Sequence, residues 1–209
     1  MIEFAAVVIG SYLIGSIPSG LIIGKLRRVD IREYGSGNIG TTNVLRTLGA
    51  RYGAIVLIAD VFKGVIAVLI ARYIIGSPMS EMAAGFAAVA GHDWSVFLKF
   101  KGGRGVATSL GGILPMAMWA PLAAVAGVVI FIALIALTRY VSLASIIGSL
   151  SAVVAMAVFM GMNRVPWEYL VYIGGVVALI IFQHRDNISR LLSGTESKLG
   201  QKGERRQAG

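Results

Sequence analysis

The sequence predicts an all-α integral membrane protein of seven transmembrane helices, with its amino terminus outside and its carboxyl terminus in the cytoplasm. Three observations predict it. The 209 residues are 56% hydrophobic and only 14% charged, with a mean hydropathy of +0.80, whereas charged residues make up about a quarter of a soluble domain. Residues 4–24, 105–138 and 140–163 carry no charge, and each run is long enough to cross a bilayer core, which takes ~20 helical residues. The basic residues, in turn, gather on one side of the path these spans describe.

The first span, 3–24, opens directly after Met1 and Glu3 without a basic start, so it reads as a retained span and not as a cleaved leader. Spans at 53–74 and 82–98 follow. The run 105–138 decides the count. As a single helix it would extend about 51 Å at ~1.5 Å per residue, too long for one crossing. Pro115 and Pro121 bracket Trp119, and prolines break helices, so the run divides into short spans at about 105–117 and 120–138. Spans at 143–161 and 168–183 complete the seven. With that count, segments 25–52, 99–104, 139–142 and 184–209 share one face and hold 16 of the 19 basic residues. Only Arg72 and Arg164 fall on the opposite face, while Lys63 lies within a span. A single crossing over 105–138 would destroy this asymmetry. Residues 1–197 form one membrane domain, and 198–209 read as a basic, disordered tail.

The net charge of +9 is mostly this one-sided bias. It points to anionic lipid and anionic substrates and away from nucleic acid. The chain has no cysteine, which excludes disulfides, thiol nucleophiles and thiolate metal sites.

Four unusual polar stretches lie on the basic face. The first, YGSGNIGTTNVLRTLG at 34–49, combines glycines that let backbone N–H groups converge with hydroxyls, amides and Arg46. Within it, GSGNIG formally matches a dinucleotide-binding fingerprint, with Asp60 further on. That fingerprint requires a preceding hydrophobic strand; RRVDIREY stands there instead, and the dinucleotide reading is rejected. The second, FKGGRGVATS at 100–109, is no Walker A loop. Its glycines nevertheless free the backbone, Lys101 and Arg104 supply charge, and Thr108 and Ser109 open a helix whose N-terminus favours an anion. The third, RYVSLAS at 139–145, spaces Ser142 and Ser145 three apart at a helix start, where a serine taken alone is an ordinary cap. The fourth, HRDNISRLLSGTES at 184–197, puts His184 and Asn187 on one helix face. Each stretch alone has an unremarkable reading as a flexible loop, a basic membrane-edge turn, a cap or an interfacial histidine. Four on one face outweigh those readings. Inside the membrane, Asp60 and Lys63 stand three apart and can pair, either for function or as a structural ion pair. His92 and Asp93 in the third span are left outside the site, as interior packing beside Trp94.

Taken together, SGNIGTTNVLRTLG, DVFKG, FKGGRGVAT, RYVSLAS and HRDNISRLLSG resemble, in family order, the bacterial inner-membrane acyl-phosphate:glycerol-3-phosphate acyltransferases. The resemblance extends to about Glu196. It implies a multi-pass inner-membrane enzyme, its active site facing the cytoplasm, that makes lysophosphatidic acid from glycerol 3-phosphate and an acyl phosphate for phospholipid synthesis. By match of motifs it implies catalytic roles for Ser36, Arg46, Ser142, His184 and Asn187, with Glu196 in the matching G-x-E. The substrate-binding set is Gly37, Asn38, Thr41, Asn43, Lys101, Gly102, Gly103, Arg104, Gly105 and Thr108. Two departures accompany it: many members carry lysine where Arg104 stands, and Asp93 and Lys99 add charge before the glycine-rich loop.

The residues agree on chemistry. An H-x4-D acyltransferase motif is absent, since Phe97 and Ser189 stand five beyond His92 and His184, and no serine lies in G-x-S-x-G. An acyl phosphate is a mixed anhydride with a good leaving group. Direct attack by the glycerol 3-phosphate 1-hydroxyl, with Arg46 and Arg104 neutralising phosphates, then needs orientation more than covalent catalysis. Either His184 or a substrate phosphate takes the proton. No metal or cofactor is implied, because no His/Asp/Glu cluster has ligand spacing; the protein is expected to act as a monomer on small-molecule substrates and membrane lipid. The rival class is a transporter of an organic phosphate, which would need polar sites reachable from both faces.

Overall fold

The computed structural model describes residues 1–205; Arg206 and the remainder of the expected tail lie outside the described residues. Among the described residues all regular structure is helical, apart from one isolated bridge between Tyr34 and Arg205. Pro18 interrupts the first apolar run, so it forms α1 (Ile2–Ser16) and α2 (Ser19–Leu26). A polar loop leads to the short α3 (Thr41–Leu48), which ends at Gly49 with φ 96°, in the left-handed region that glycine favours. The next element, α4 (Ala50–Ile74), is the long second span. A capping box between Ser77 and Ser80, with Pro78 in the first turn, starts α5 (Pro78–Asp93).

The uncharged run 105–138 does divide as its prolines predict. It forms α6 (Val106–Ile113) and α7 (Ala120–Thr138), with Pro115 in the break and Pro121 at the start of α7. The hairpin partner of α7 is α8 (Val141–Gly161). Last come α9 (Trp167–Gln183) and α10 (Arg185–Leu192), which meet at a bend of 58°.

Among the described residues, four segments are long and apolar enough to cross a membrane: Ile2–Leu26, Ala50–Ile74, Ala120–Thr138 and Val141–Gly161, with a fifth if the bent α9–α10 pair is one span. That is fewer than the seven spans expected from the sequence, which counted 105–117 as a short one. The α6 helix has 8 residues, about 12 Å of rise, against a hydrocarbon core of ~30 Å. Glycines explain why so short a helix is held. Gly64 of α4 faces the α6 backbone at Thr108 and Gly111, and Gly111 faces Val61, with no room for a Cβ at either glycine. The α7–α8 pair closes in the same way, because a Cβ on Gly127 would stand 2.7 Å from the Gly148 carbonyl oxygen.

The main core joins α5 to α9 through Val89, Ile113, Met156, Tyr172 and Ile180. A second core of Leu21, Ile31, Ile39, Val44 and Val56 fixes the 27–40 loop and α3 against α2 and α4. Ile58 and Phe62 of α4, with Val125, Val129 and Ile132 of α7, are exposed. Such apolar outer faces suit lipid and not water. At the end of the bundle away from α3, the Arg72 guanidinium grips the buried Glu81 carboxylate at 2.8 and 2.9 Å, and the Tyr169 hydroxyl donates to it at 2.7 Å, tying α4, α5 and α9 together.

Residues 198–205 belong to the segment read from the sequence as a basic, disordered tail. They return across α3 and the start of α8, with the Leu199 N–H donating to the Arg139 carbonyl at 2.7 Å and the Gly203 N–H to the Arg46 carbonyl at 3.1 Å.

Candidate active site

A cavity of about 1040 Å³ opens between α3, α6, α7, α8 and α9. One end is polar and the rest apolar. Ser36, Arg46, Arg104, Ser142, His184 and Asn187 line the polar end, and Ile113, Val128, Phe131, Ile132, Val176 and Ile180 line the slot that continues from it. The four polar stretches on the expected basic face, distant in sequence, thus meet at one place.

The first stretch is organised by Asn43. Its amide nitrogen donates to the carbonyls of Ile31 at 2.9 Å and Asn38 at 2.8 Å, and its oxygen accepts the Ser36 N–H at 3.0 Å. Asn43 is therefore a hub of the loop, its polar atoms engaged within it, and it also lines the cavity. Asn38 caps the Gly40 N–H at 2.8 Å. Thr41, in the first turn of α3, lines the cavity with a buried hydroxyl that has no partner among the described residues. Ser36 lines the cavity, whereas Gly37 is not among the lining residues.

In the glycine-rich loop, expected to bind a phosphate, the Gly103 N–H is taken by the His92 carbonyl at 2.9 Å, and Gly102 and Gly103 lie so close to the His92 and Asp93 backbone and the His92 ring that neither has room for a Cβ. Gly105, at φ 68°, turns the chain into α6. The outcome is to place Arg104 in the cavity. Lys101 is exposed and outside it, and Thr108 is fully buried outside it.

Among the described residues Arg104 has no ion-pair or hydrogen-bond partner, and Arg46 has no ion-pair partner and a buried Nε without a partner. Burial brings Arg104 down to about 10, against the pull of Glu196, and burial likewise lowers Arg46. Both remain cationic near neutrality. Two guanidiniums without anionic partners facing one cavity form a site for an anion.

Glu196 organises the third and fourth stretches. One carboxylate oxygen accepts the Ser142 hydroxyl at 2.7 Å and the Asn187 amide at 2.6 Å, and the other accepts Arg190 Nε at 2.7 Å. Burial pushes its carboxyl up, but these three donors outweigh burial and hold it below the ordinary range. Ser142 therefore donates its proton to Glu196 and keeps lone pairs for a donor in the cavity. His184 Nδ1 lies 2.7 Å from the Ile180 carbonyl. A carbonyl only accepts, so the proton sits on Nδ1 and Nε2 keeps a lone pair. Burial first, and the Arg104 charge second, bring this histidine down to about 4; it is neutral at physiological pH.

Two residues outside the expected site set reach the cavity: Asp60, left open between function and a structural ion pair, and His92, read as interior packing. Lys63 Nζ lies 3.0 Å from an Asp60 carboxylate oxygen and 2.6 Å from His92 Nδ1, so the expected pairing forms and extends to the histidine beneath the glycine loop. The charges of Asp60 and Lys63 within a span were the available signal; nothing local linked them to His92. No group of three or more His, Cys, Asp or Glu among the described residues is placed to hold a metal ion.

Comparison with known proteins finds relatives over nearly the whole chain. The family model described as "Glycerol-3-phosphate acyltransferase" matches residues 5–194. The glycerol-3-phosphate acyltransferase of Thermoanaerobacter pseudethanolicus is 50% identical over 195 residues, covering 93% of this chain and 94% of that one. That of Desulforudis audaxviator is 47% identical over 190 residues, covering 90% and 91%. Among solved structures, the crystal structure of PlsY, an integral membrane glycerol 3-phosphate acyltransferase, in its glycerol 3-phosphate form superposes with a TM-score of 0.84 at 42% identity, covering 94% of this chain and 96% of that one. The lysophosphatidic acid form of PlsY gives 0.82 at 41% identity, covering 95% and 96%.

Proposed function

Because the chain belongs to the glycerol-3-phosphate acyltransferase family, we propose that it transfers an acyl group from acyl phosphate to the 1-hydroxyl of glycerol 3-phosphate, giving lysophosphatidic acid and inorganic phosphate. The observation that carries this reading is the two-part cavity. Its polar end holds two cations without anionic partners, Arg46 and Arg104, and its apolar slot between α6, α7, α8 and α9 suits an acyl chain. A substrate pair with two phosphates and one long chain fits both parts. The relatives' names and the ligands named for PlsY support glycerol 3-phosphate as the acceptor.

In this mechanism the acceptor hydroxyl oxygen attacks the acyl carbon, a new ester C–O bond forms, and the C–O bond to phosphate breaks. Arg46 and Arg104 balance the phosphate charges, with Ser36 and the Thr41 hydroxyl as further hydrogen-bonding groups. Ser142 and Asn187, held by Glu196, shape the other wall. The hydroxyl proton has two acceptors, Nε2 of neutral His184 and the departing phosphate. No acyl-enzyme is formed, and catalysis comes from orientation and charge. The protein acts as a monomer in the inner membrane, with seven membrane-embedded helical segments counting α6 as a short one, amino terminus outside, and the site facing the cytoplasm.

The test uses purified protein in detergent with glycerol 3-phosphate and either palmitoyl phosphate or palmitoyl-coenzyme A. Lysophosphatidic acid should form from the acyl phosphate alone. Arg104→Ala should lower kcat/KM by about 100-fold or more, the loss typical of removing one preorganised charge donor. Product from the thioester would overturn the donor assignment. Product from neither, with glycerol 3-phosphate crossing reconstituted vesicles, would replace acyl transfer by transport.

A further inference from the structure

Residues 197–205 lie beyond the 5–194 stretch shared with the family model, yet they cross the polar mouth of the cavity. Ser197, Leu199, Gln201 and Lys202 line it. The segment is pinned along its length. The Leu199 N–H donates to the Arg139 carbonyl at 2.7 Å, while Arg139 Nη2 returns a bond to the Leu199 carbonyl at 2.7 Å. Lys198 Nζ stands 5.4 Å from the centre of the Tyr140 ring. The Gly35 N–H donates to the Glu204 carbonyl at 2.9 Å, Tyr34 and Arg205 form an antiparallel bridge, and Arg205 pairs with Glu33 at 3.0 Å.

Arg46 is the cavity residue this segment touches most directly, and it is held at both ends. Its own carbonyl accepts the Gly203 N–H at 3.1 Å. Its Nη2 donates to the carbonyls of Ser197 at 2.9 Å and Lys198 at 3.3 Å. With Nη2 engaged, the planar guanidinium is fixed, and its buried Nε is left without a partner. An arginine side chain that is already ordered loses little rotamer entropy when an anion arrives, whereas a free one loses more. Neutral carbonyls also orient the guanidinium without cancelling its charge, as a carboxylate would.

We propose that residues 197–205 form a positioning strap that orients Arg46 for an anionic oxygen of the substrate and completes the polar wall of the cavity. The inference rests on the acyl-transfer reading above. Its site is one already described, but the strap assigns work to a segment outside the shared family stretch, and Lys202 brings a further cation to the rim.

The test measures initial rates in detergent, varying glycerol 3-phosphate and palmitoyl phosphate in turn. The proteins are the wild-type chain, a chain ended after Glu196, Gly203→Pro, Arg46→Lys and the Arg46→Lys/Gly203→Pro pair. Whichever KM rises in Arg46→Lys should rise by about tenfold in the shortened chain, the magnitude of one charge-assisted hydrogen bond. It should rise less in Gly203→Pro, which removes a single strap bond, and kcat should stay within about twofold. Gly203→Pro should add nothing further to Arg46→Lys, because a lysine has no fork to orient. Unchanged KM values, additive effects, or a gain in activity on shortening would overturn the strap. If the shortened chain does not fold, Gly203→Pro and its pairing with Arg46→Lys decide the matter alone. A wild-type chain without acyltransferase activity would overturn the acyl-transfer reading, whereas an active wild type with unaltered variants would overturn the strap only.

Discussion

His184 caps the end of α9 at the bend into α10, with its Nδ1 proton donated to the Ile180 carbonyl. Burial and the Arg104 charge lower its pKa from the ordinary 6.5 to about 4. Between those values an unfolded chain binds a proton that the folded chain refuses, so stability rises with pH through this window and is lost as pH falls from about 6.5 towards 4. The apparent melting temperature in detergent should decline over that range, and His184→Gln should flatten the decline. An identical decline in the variant would remove His184 as its source. Individual site residues were legible in the sequence wherever their chemistry was unusual for their surroundings. Arg46, Arg104 and His184 stood out in that way. Asn43 was named from its motif, but its part in organising the loop was not legible, because an amide that organises a loop and an amide that binds a substrate look alike until their partners are known.

The glycine-rich loop shows how an element assigns a role that composition cannot. Gly102 and Gly103, expected to present N–H groups to a phosphate, also make the close approach between the loop and the end of α5, and the Gly103 N–H is taken by the His92 carbonyl. Gly103→Ala would place a Cβ against the His92 ring, which Lys63 holds at 2.6 Å. Overpacking of this kind costs about 1–3 kcal/mol. A lowered melting temperature is expected, together with reduced kcat/KM, since Arg104 is the next residue. Wild-type melting and activity in Gly103→Ala would show that the loop is not held by this contact. The helix breaks themselves were readable, because Pro18 and the Pro115–Pro121 pair act locally through a missing N–H and a fixed φ. The length of α6 was not, because glycine contacts with α4 decide where that helix is supported.

At the scale of the molecule, the proposed topology, an odd number of crossings with the polar cavity inside, rests on the distribution of basic residues. The absence of cysteine makes this directly testable. In intact cells a membrane-impermeant maleimide should label Arg164→Cys, and should label Lys101→Cys only after the membrane is permeabilised. Labelling of both from the same side would remove the proposed topology. The cavity gives the asymmetry a purpose, since its polar end collects the loops that carry most of the positive charge, and its slot runs towards the apolar belt of α7.

Local chemistry determined what the sequence could settle alone. Hydropathy, proline positions and ordered motifs identified an all-helical membrane protein, its broken run and its family, since each depends on residues within a few turns of one another. Only the tertiary structure decided that Asp60 and His92 reach the cavity, that Glu196 holds Ser142 and Asn187 together, and that residues 198–205 fold back across α3 and the start of α8. Those outcomes rest on hydrogen bonds between segments far apart in the chain, such as Arg46 to Ser197 and Arg139 to Leu199. Which donor meets which acceptor is fixed by how the helices pack, and a polar, glycine-containing segment reads as disordered until packing supplies its partners.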